Sequence, residues 1–401
     1  MRFIPRNSVN LTFETVLRSI FDPSLKKTAS GNYIREFERR FAEFVGVKHT
    51  LGVYSARAGL HLILKCLGLN PGEEIILSAY NFAPVPILFK LMGYNPVFVD
   101  IKEHTLNIDV DKIEEAIGPK SRVLFVTHMC GYPVNMGRIM KIAEKYGLFV
   151  LEDCAHALGA TYKGRMVGSF GAAGIFSFGY GKTMPCFGGG MITFGDENFY
   201  NEVKNFVSEK GRFALNKFIK TLFFYVFSHK HVFPWTVYPF MRINPLLGDK
   251  AIQEEESYSL GSYQRKYYSI SSFQAKTGIL QLDNVNNYVK RMRENAKVLT
   301  KLLKSNKKIN MIEAEVESEP SFLYYRIIVD DVKKYRDLLL GRGIDIKIDS
   351  MCTPCELRPF INESREFNNS GYFKNHNIEI PNRPNLSLED MEYIAQKINN
   401  I

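Results

Sequence analysis

The stretch VLEDCAHALGA at residues 150–160, followed by FSFGYGKTMPCFGGG at residues 176–190, decides how this chain is read. An apolar run ends in two acids, Glu152 and Asp153, and gives way to the small residues Cys154, Ala155, Ala157 and Gly159. In an open parallel sheet, ligands sit beyond the carboxyl ends of the strands. An acid directly after a strand is therefore aimed at a crevice, and small residues behind it let the backbone approach a ligand. An N-cap or a surface acid is the alternative for Asp153, and the apolar run before it favours the crevice. Lys182 stands in a Gly-rich turn between apolar segments. Desolvation there lowers an amine's pKa and leaves it nucleophilic, while a solvated loop lysine fits the same local chemistry equally well.

The flanking sequence supplies the sheet that this reading needs. Residues 74–77, 96–99, 123–126 and 148–151 are short β-branched or aromatic runs separated by helical patterns. Continuous apolar runs of this kind mean strands covered on both faces by crossover helices. Ile34, Phe37, Phe41 and Phe44 recur at helical spacing in 33–45, and a second helix over 58–67 opens from a small-residue turn at Ser55-Ala56. A long helix over 274–303 leads onward, and 321–330 with 335–343 reads as a strand and a helix. The expected fold class is α/β: a large domain over 1–272 with a mainly parallel sheet flanked by helices, and a smaller α+β domain over 273–401.

At 401 residues and 45% hydrophobic content, the chain is large enough for two such cores. The opening MRFIPR runs straight into polar residues, so a secreted fate is not expected. Six cysteines scattered through apolar and loop contexts read as reduced thiols of a cytoplasmic protein. Cys352 and Cys355 form a Cys-x-x-Cys pair with no second pair or matching histidines, so they read as loop cysteines and no metal is expected. The formal net charge of +10 is dispersed along polar helical faces, with no nucleic-acid-binding motif. A nucleic-acid partner is not expected; an anionic small substrate is compatible.

A long, ordered set of motifs covers most of the chain. It runs through Phe37-Glu38-x-x-Phe41-Ala42, Gly46-Val47-Lys48-His49, Ala58-x-Leu60-His61-Leu62, Leu67-Gly68, Pro71-Gly72-Glu73-Glu74-Ile75 and Pro96-Val97-Phe98-Val99-Asp100. It continues through His128 with Gly131, Glu152-Asp153, 159–164, Val167-Gly168-Ser169, Phe176-Ser177-Phe178, Lys182, Gly189-Gly190 and Gln281-Leu282. The sequence resembles the DegT/StrS-like sugar aminotransferases, which have the pyridoxal phosphate (PLP) transferase fold of type I. The resemblance implies that Lys182 forms the Schiff base with PLP and that Asp153 pairs with the pyridinium nitrogen, the two groups such an enzyme needs. It sets His156 beside the cofactor ring, Ser177 on the phosphate and Phe82 stacked on the pyridine; alone, Phe82 would pass as a core residue. Ala56 and Arg57 match the helix N-terminus that binds the same phosphate.

The implied activity is a ping-pong transfer of an amino group from an amino acid, L-glutamate by resemblance, to a keto-sugar, nucleotide- or lipid-linked, in surface polysaccharide or amino-sugar biosynthesis. Lys182 would shuttle the proton in each half. A homodimer is implied as well. The chain departs from its relatives at Ser55-Ala56-Arg57, where most read Ser-Gly-Thr. It departs again at Phe187-Gly188, where they carry Gly-Glu, and at Tyr267-Tyr268-Ser269, where they carry Asn-x-Arg. Two other readings fit these departures: a PLP-binding regulatory protein without turnover, and a transaminase of a cyclitol or non-sugar lipid ketone.

The family is shorter across 211–249, where Phe213, Phe218, Leu222, Phe223, Phe224, Phe227, Phe233, Trp235 and Tyr238 are interleaved with Lys217, Lys220, Lys230 and Arg242. The apolar run 221–227 is too short for a bilayer core of about 30 Å. An aromatic and basic amphipathic segment lies in a membrane interface or covers a site or a dimer contact, and both remain as expectations.

Overall fold

The computed structural model describes the chain except for residues 1, 7, 22–30, 209–210, 212–214, 244–266, 349–350 and 361–364. Its strands are β1 (His49–Val53), β2 (Glu74–Ser78), β3 (Asn95–Val99), β4 (Ser121–Thr127), β5 (Phe149–Asp153), β6 (Thr161–Tyr162), β7 (Arg165–Met166), β8 (Ala173–Ser177), β9 (Gly190–Phe194), β10 (Ile309–Met311), β11 (Ser318–Glu319), β12 (Tyr325–Val329), β13 (Lys347–Ile348) and β14 (Asn377–Ile380). Helices that matter below are α1 (Phe13–Ile20), α2 (Gly31–Val45), α3 (Ala56–Cys66), α4 (Pro84–Leu91), α5 (Leu215–Phe227), α6 (Val237–Ile243), α7 (Ser272–Leu282), α8 (Val285–Leu303) and α9 (Leu388–Asn399).

Seven strands form one sheet in the order β1-β9-β8-β5-β4-β2-β3. The pairs β2–β3, β2–β4, β4–β5 and β5–β8 are parallel, and β9 alone runs against its two neighbours, β1 and β8. This is the expected mainly parallel sheet. Its apolar runs are buried because helices cover both faces, as β4 shows with six of its seven residues buried. The parallel strands therefore end together at Ser78, Val99, Thr127, Asp153 and Ser177.

Glu152 locks this edge. Fully buried, it accepts the N–H groups of Gly168, Phe170 and Gly171 at 2.7–2.8 Å, and His128 Nε2 lies 3.2 Å from it. His128 Nδ1 accepts the Val134 N–H at 3.1 Å, so Nε2 carries the proton donated to Glu152. A buried carboxylate with four donors needs no metal to satisfy it, although Cys154 also lies close to this pair.

The helix expected over 274–303 is two helices, α7 and α8. Asn284 breaks it by donating its side-chain amide to Leu280 O at 3.2 Å and its N–H to Gln281 O at 2.9 Å. The bend lets α7 pack on α2, where a Cβ at Gly278 would meet the Phe37 ring at 2.4 Å, while α8 packs on α9. The expected strand 321–330 shortens to β12, because Ser321 and Tyr324 instead donate to the loop carbonyls of Gly131 and Cys130. β12 joins β10, β14 and β13 in a separate four-stranded antiparallel sheet. Ile4 bridges to Ile344 and belongs to this sheet's apolar cluster. A third small sheet, β11-β6-β7, ties residue 319 to the loop after β5.

Glu152→Ala strands three buried N–H groups and should cost about 3–5 kcal/mol. Urea unfolding of the apo protein checks this, with Glu152→Gln expected to retain part of the loss as a weaker acceptor.

Candidate functional site

The aromatic cluster under the Gly-rich turn sets its position. Phe41 packs edge-on against Phe176 at 5.1 Å, and Phe37 lies 5.5 Å from Phe178, so α2 anchors β8 and the turn beyond it. The Phe178 carbonyl accepts the N–H groups of Cys186 and Gly188, and the Phe178 N–H donates to Gly189 O, all at 3.1 Å. These bonds close a loop over 178–189, inside which the Lys182 N–H donates to Gly179 O at 3.1 Å. Phe187 sits in the left-handed region at φ 58°, a conformation costly for an aromatic residue. It is held there by packing on Phe218 and Phe273, at 4.9 and 5.4 Å.

The structure brings most of the expected residues together. Lys182 is half-buried, and its amine is pushed down to about 8, by desolvation first, with Asp153 acting in the opposite direction. Asp153 is raised from its ordinary value by the same burial, offset by the Ala155 N–H at 3.0 Å and by the charges of Lys182 and His128. Burial opposes both charges and each sustains the other. His156 is held well below the ordinary imidazole range by desolvation and then by Lys182, so it is neutral at physiological pH. Its ring meets Tyr324 edge-on at 5.1 Å.

Ser177 Oγ and Lys182 Cγ lie at the same distance, 3.9 Å, from where a Cβ on Gly179 would stand. Ser177 pairs with Gly190 across β8 and β9, and Ser55 bridges to Gly189. A Cβ at Gly190 would come within 2.7 Å of both Ala56 N and Phe176 O, so only glycine lets the start of α3 approach Ser177. Ser55 caps α3 by accepting the Ala58 N–H at 3.2 Å, with Ala56 and Arg57 in the first turn. Phe82 follows β2, and Asn81 links it to the strand ends: Asn81 Oδ1 accepts the Phe82 N–H at 2.7 Å, and Asn81 Nδ2 donates to Thr127 Oγ1 at 3.3 Å. At 44% exposure, Phe82 is not a core residue.

Four participants were not read from the sequence: Tyr324, Lys347, Arg383 and Cys130. The charges of Lys347 and Arg383 reach both Lys182 and His156, and that of Cys130 reaches Lys182. The Tyr324 hydroxyl donates to Gly181 O at 3.2 Å. Arg383 comes three residues after β14, in an antiparallel sheet to which the strand-end argument applied to Asp153 does not extend. Tyr267, at the departure from Asn-x-Arg, bonds within its own chain, its hydroxyl 2.5 Å from His61 Nδ1. Helix α5 packs on the site's rim: Phe224 stacks on Tyr180 at 4.4 Å and Lys217 lies over the Tyr54 ring at 4.4 Å.

The model of the DegT/DnrJ/EryC1/StrS aminotransferase family matches residues 17–223 and 248–399. The chain belongs to this family. Its members are PLP-dependent aminotransferases, and the desolvated Lys182 amine near the Asp153 carboxylate fits that cofactor. The GDP-perosamine synthase of Escherichia coli O157:H7 is 26% identical over all of this chain and 98% of its own length. The spore coat polysaccharide biosynthesis protein SpsC of Bacillus subtilis (strain 168) is 42% identical over a segment that covers 44% of this chain and 45% of SpsC. Among solved structures, Helicobacter pylori PseC, an aminotransferase of pseudoaminic acid biosynthesis, superimposes with a TM-score of 0.79 at 22% identity, covering 100% of this chain and 99% of its own. That likeness establishes the type I fold.

Because the folded Lys182 amine lies below the unfolded value of 10.5, the unfolded chain binds the extra proton between about 8 and 10.5, and the apo protein should gain stability as pH rises through that window. Acylation of Lys182 in the apo protein, followed by mass spectrometry, should titrate near pH 8, and Asp153→Asn should move the midpoint lower. A profile matching the surface lysines would overturn this.

Proposed function

We propose that this protein transfers an amino group from an amino acid, L-glutamate being the donor to test first, to a nucleotide-linked keto-sugar in surface polysaccharide or amino-sugar biosynthesis. The observation that carries the reading is the half-buried Lys182 amine, lowered to about 8 by desolvation, set near the half-buried Asp153 carboxylate at the end of the parallel sheet. When bound, PLP supplies an electrophilic carbonyl for the amine and an electron sink for the carbanion.

In this reading Lys182 holds PLP and, once released, moves the proton between the two carbons; an amine near 8 does both at neutral pH. Asp153 pairs with the ring nitrogen. His156, neutral, lies beside the ring without competing for its charge, and Phe82 stacks on its face. Ser177 and the Ala56 and Arg57 turn of α3 take the phosphate, where the helix dipole favours an anion. The proposal includes a homodimer, a cytoplasmic location, and a division into a PLP-binding domain over 1–272 and a smaller domain over 273–401. The two separate sheets and six cysteines without disulfides support it.

Peripheral membrane contact through 211–249 is a further part of the proposal. Phe218, Leu222 and Phe224 of α5 pack inward, whereas Leu215, Ile219, Phe223 and Val226 are exposed, as are Trp235, Phe240 and Ile243. No helix among the described residues is long and apolar enough to cross a membrane. An outward apolar stripe near Lys220, Lys230 and Arg242 suits an anionic lipid surface.

Purified protein with PLP should show a visible absorbance band that L-glutamate converts to that of the aminated cofactor. Lys182→Ala should abolish the conversion. PLP binding with no response to any amino acid would instead favour the regulatory reading. Flotation with phosphatidylglycerol vesicles should carry the wild type but not Ile219→Glu/Phe223→Glu, and a wild type that stays at the bottom ends the membrane reading.

A further inference from the structure

The structure buries two arginines almost completely in the smaller sheet and its flank, and treats them differently. Arg326, on β12, is answered by Asn377, by the Tyr80 hydroxyl at 3.4 Å and by Glu379 at 3.3 Å. Arg383, 2% exposed, has no hydrogen-bond partner at Nε or Nη1, and no carboxylate among the described residues pairs with it. A guanidinium stays charged at any physiological pH, so its burial without a counter-charge is a standing cost.

Its surroundings point to what would answer it. The guanidinium carbon lies 5.2 Å from the centre of the Tyr324 ring, which fixes one face of the plane. The same tyrosine bonds Gly181 O, one residue before Lys182, and packs on His156. Arg383 thus belongs to the wall around the reactive amine. The charges of Lys182 and Arg383 meet in this wall with the carboxylate of Asp153, so a further anion is favoured beside Arg383.

We propose that Arg383, seated on Tyr324, is the receptor for the carboxylate of the amino donor. This rests on the aminotransfer reading. An amino acid carries its carboxylate on the carbon whose amino group must reach Lys182, and a planar guanidinium binds carboxylate through two parallel N–H bonds. A donor amine without a carboxylate would leave the buried charge unanswered, which makes the arginine a means of selection as well as of binding.

The test uses the PLP-reconstituted wild type, Arg383→Gln and Arg383→Lys. Calorimetric titration with glutarate, an unreactive dicarboxylate, should show binding weakened roughly 10- to 100-fold in Arg383→Gln and less in Arg383→Lys. The KM for L-glutamate should rise in the same order, and by a larger factor than the KM for butylamine, which has no carboxylate to lose. Thermal melting without ligand should show Arg383→Gln at least as stable as the wild type, since it removes an unanswered buried charge; a lowered Tm with unchanged glutarate affinity would assign a structural role and overturn the proposal. Unchanged glutarate affinity and unchanged KM in both variants overturn it as well, as does a loss of PLP affinity, which would assign the guanidinium to the cofactor. Weakened binding of glucuronate with intact L-glutamate kinetics would move the carboxylate to the sugar and overturn it too. Arg383-dependent glutarate binding with no amino transfer from L-glutamate leaves the receptor standing and sinks the aminotransfer reading instead.

Discussion

The Lys182 amine and the Asp153 carboxylate share a half-buried, partly desolvated region, where Asp153 helps to keep the amine charged and the carboxylate is held first by the Ala155 N–H and then by Lys182. Such a pair is tolerable only if its surroundings are rigid, because a small separation in a weakly screened interior removes much of the mutual stabilisation. The fold supplies that rigidity from both sides. Asp153 ends a strand whose preceding residue, Glu152, is bound by four donors, so the strand end cannot move independently of the loop at 168–171. Lys182 lies in a loop closed by bonds to Phe178 and backed by four phenylalanines.

The sheet topology explains why these anchors converge. Parallel strands bring their carboxyl ends to one edge, which places Asp153 and Ser177 there, with Phe82 just past β2 and linked to that edge through Asn81 and Thr127. The single antiparallel strand, β9, then returns the chain beside β8 and β1 and delivers the Gly188–Gly190 turn to the start of α3. The close contact at Gly190 joins the end of β8 to a helix N-terminus. The smaller sheet closes the other side through Tyr324 and Arg383, so that one compartment is walled by residues more than 300 positions apart in sequence.

The segment formed by α5 and α6 is split between two environments. Its inner face meets Tyr54, Tyr180 and Phe187, residues that flank the site, so it is part of the site's covering. The outer apolar face is supernumerary to that role, and interleaving it with lysines and an arginine suits an interface better than a core.

Much of this was legible in the sequence because it depends on local order. Continuous apolar runs announced β2 to β5, helical spacing announced α2, and the acid after 148–151 announced Asp153; each signal is contained within a dozen residues. The lysine was ambiguous for the same reason, since its local context fits a solvated loop, and only the ordered resemblance along the chain favoured the site. Tertiary structure alone decided the rest. The break at Asn284 lets α7 pack on α2 while α8 runs on to α9, a demand invisible to a periodicity that continues across it. Phe82 read locally as core and proved exposed, because where a residue stands after a strand depends on what the sheet edge faces. Arg383 and Tyr324 face Lys182 through chain folding rather than chain order. Sequence determines which residues can bear charge or bury surface, whereas desolvation and the pairing of charges exist only once distant segments share one interior.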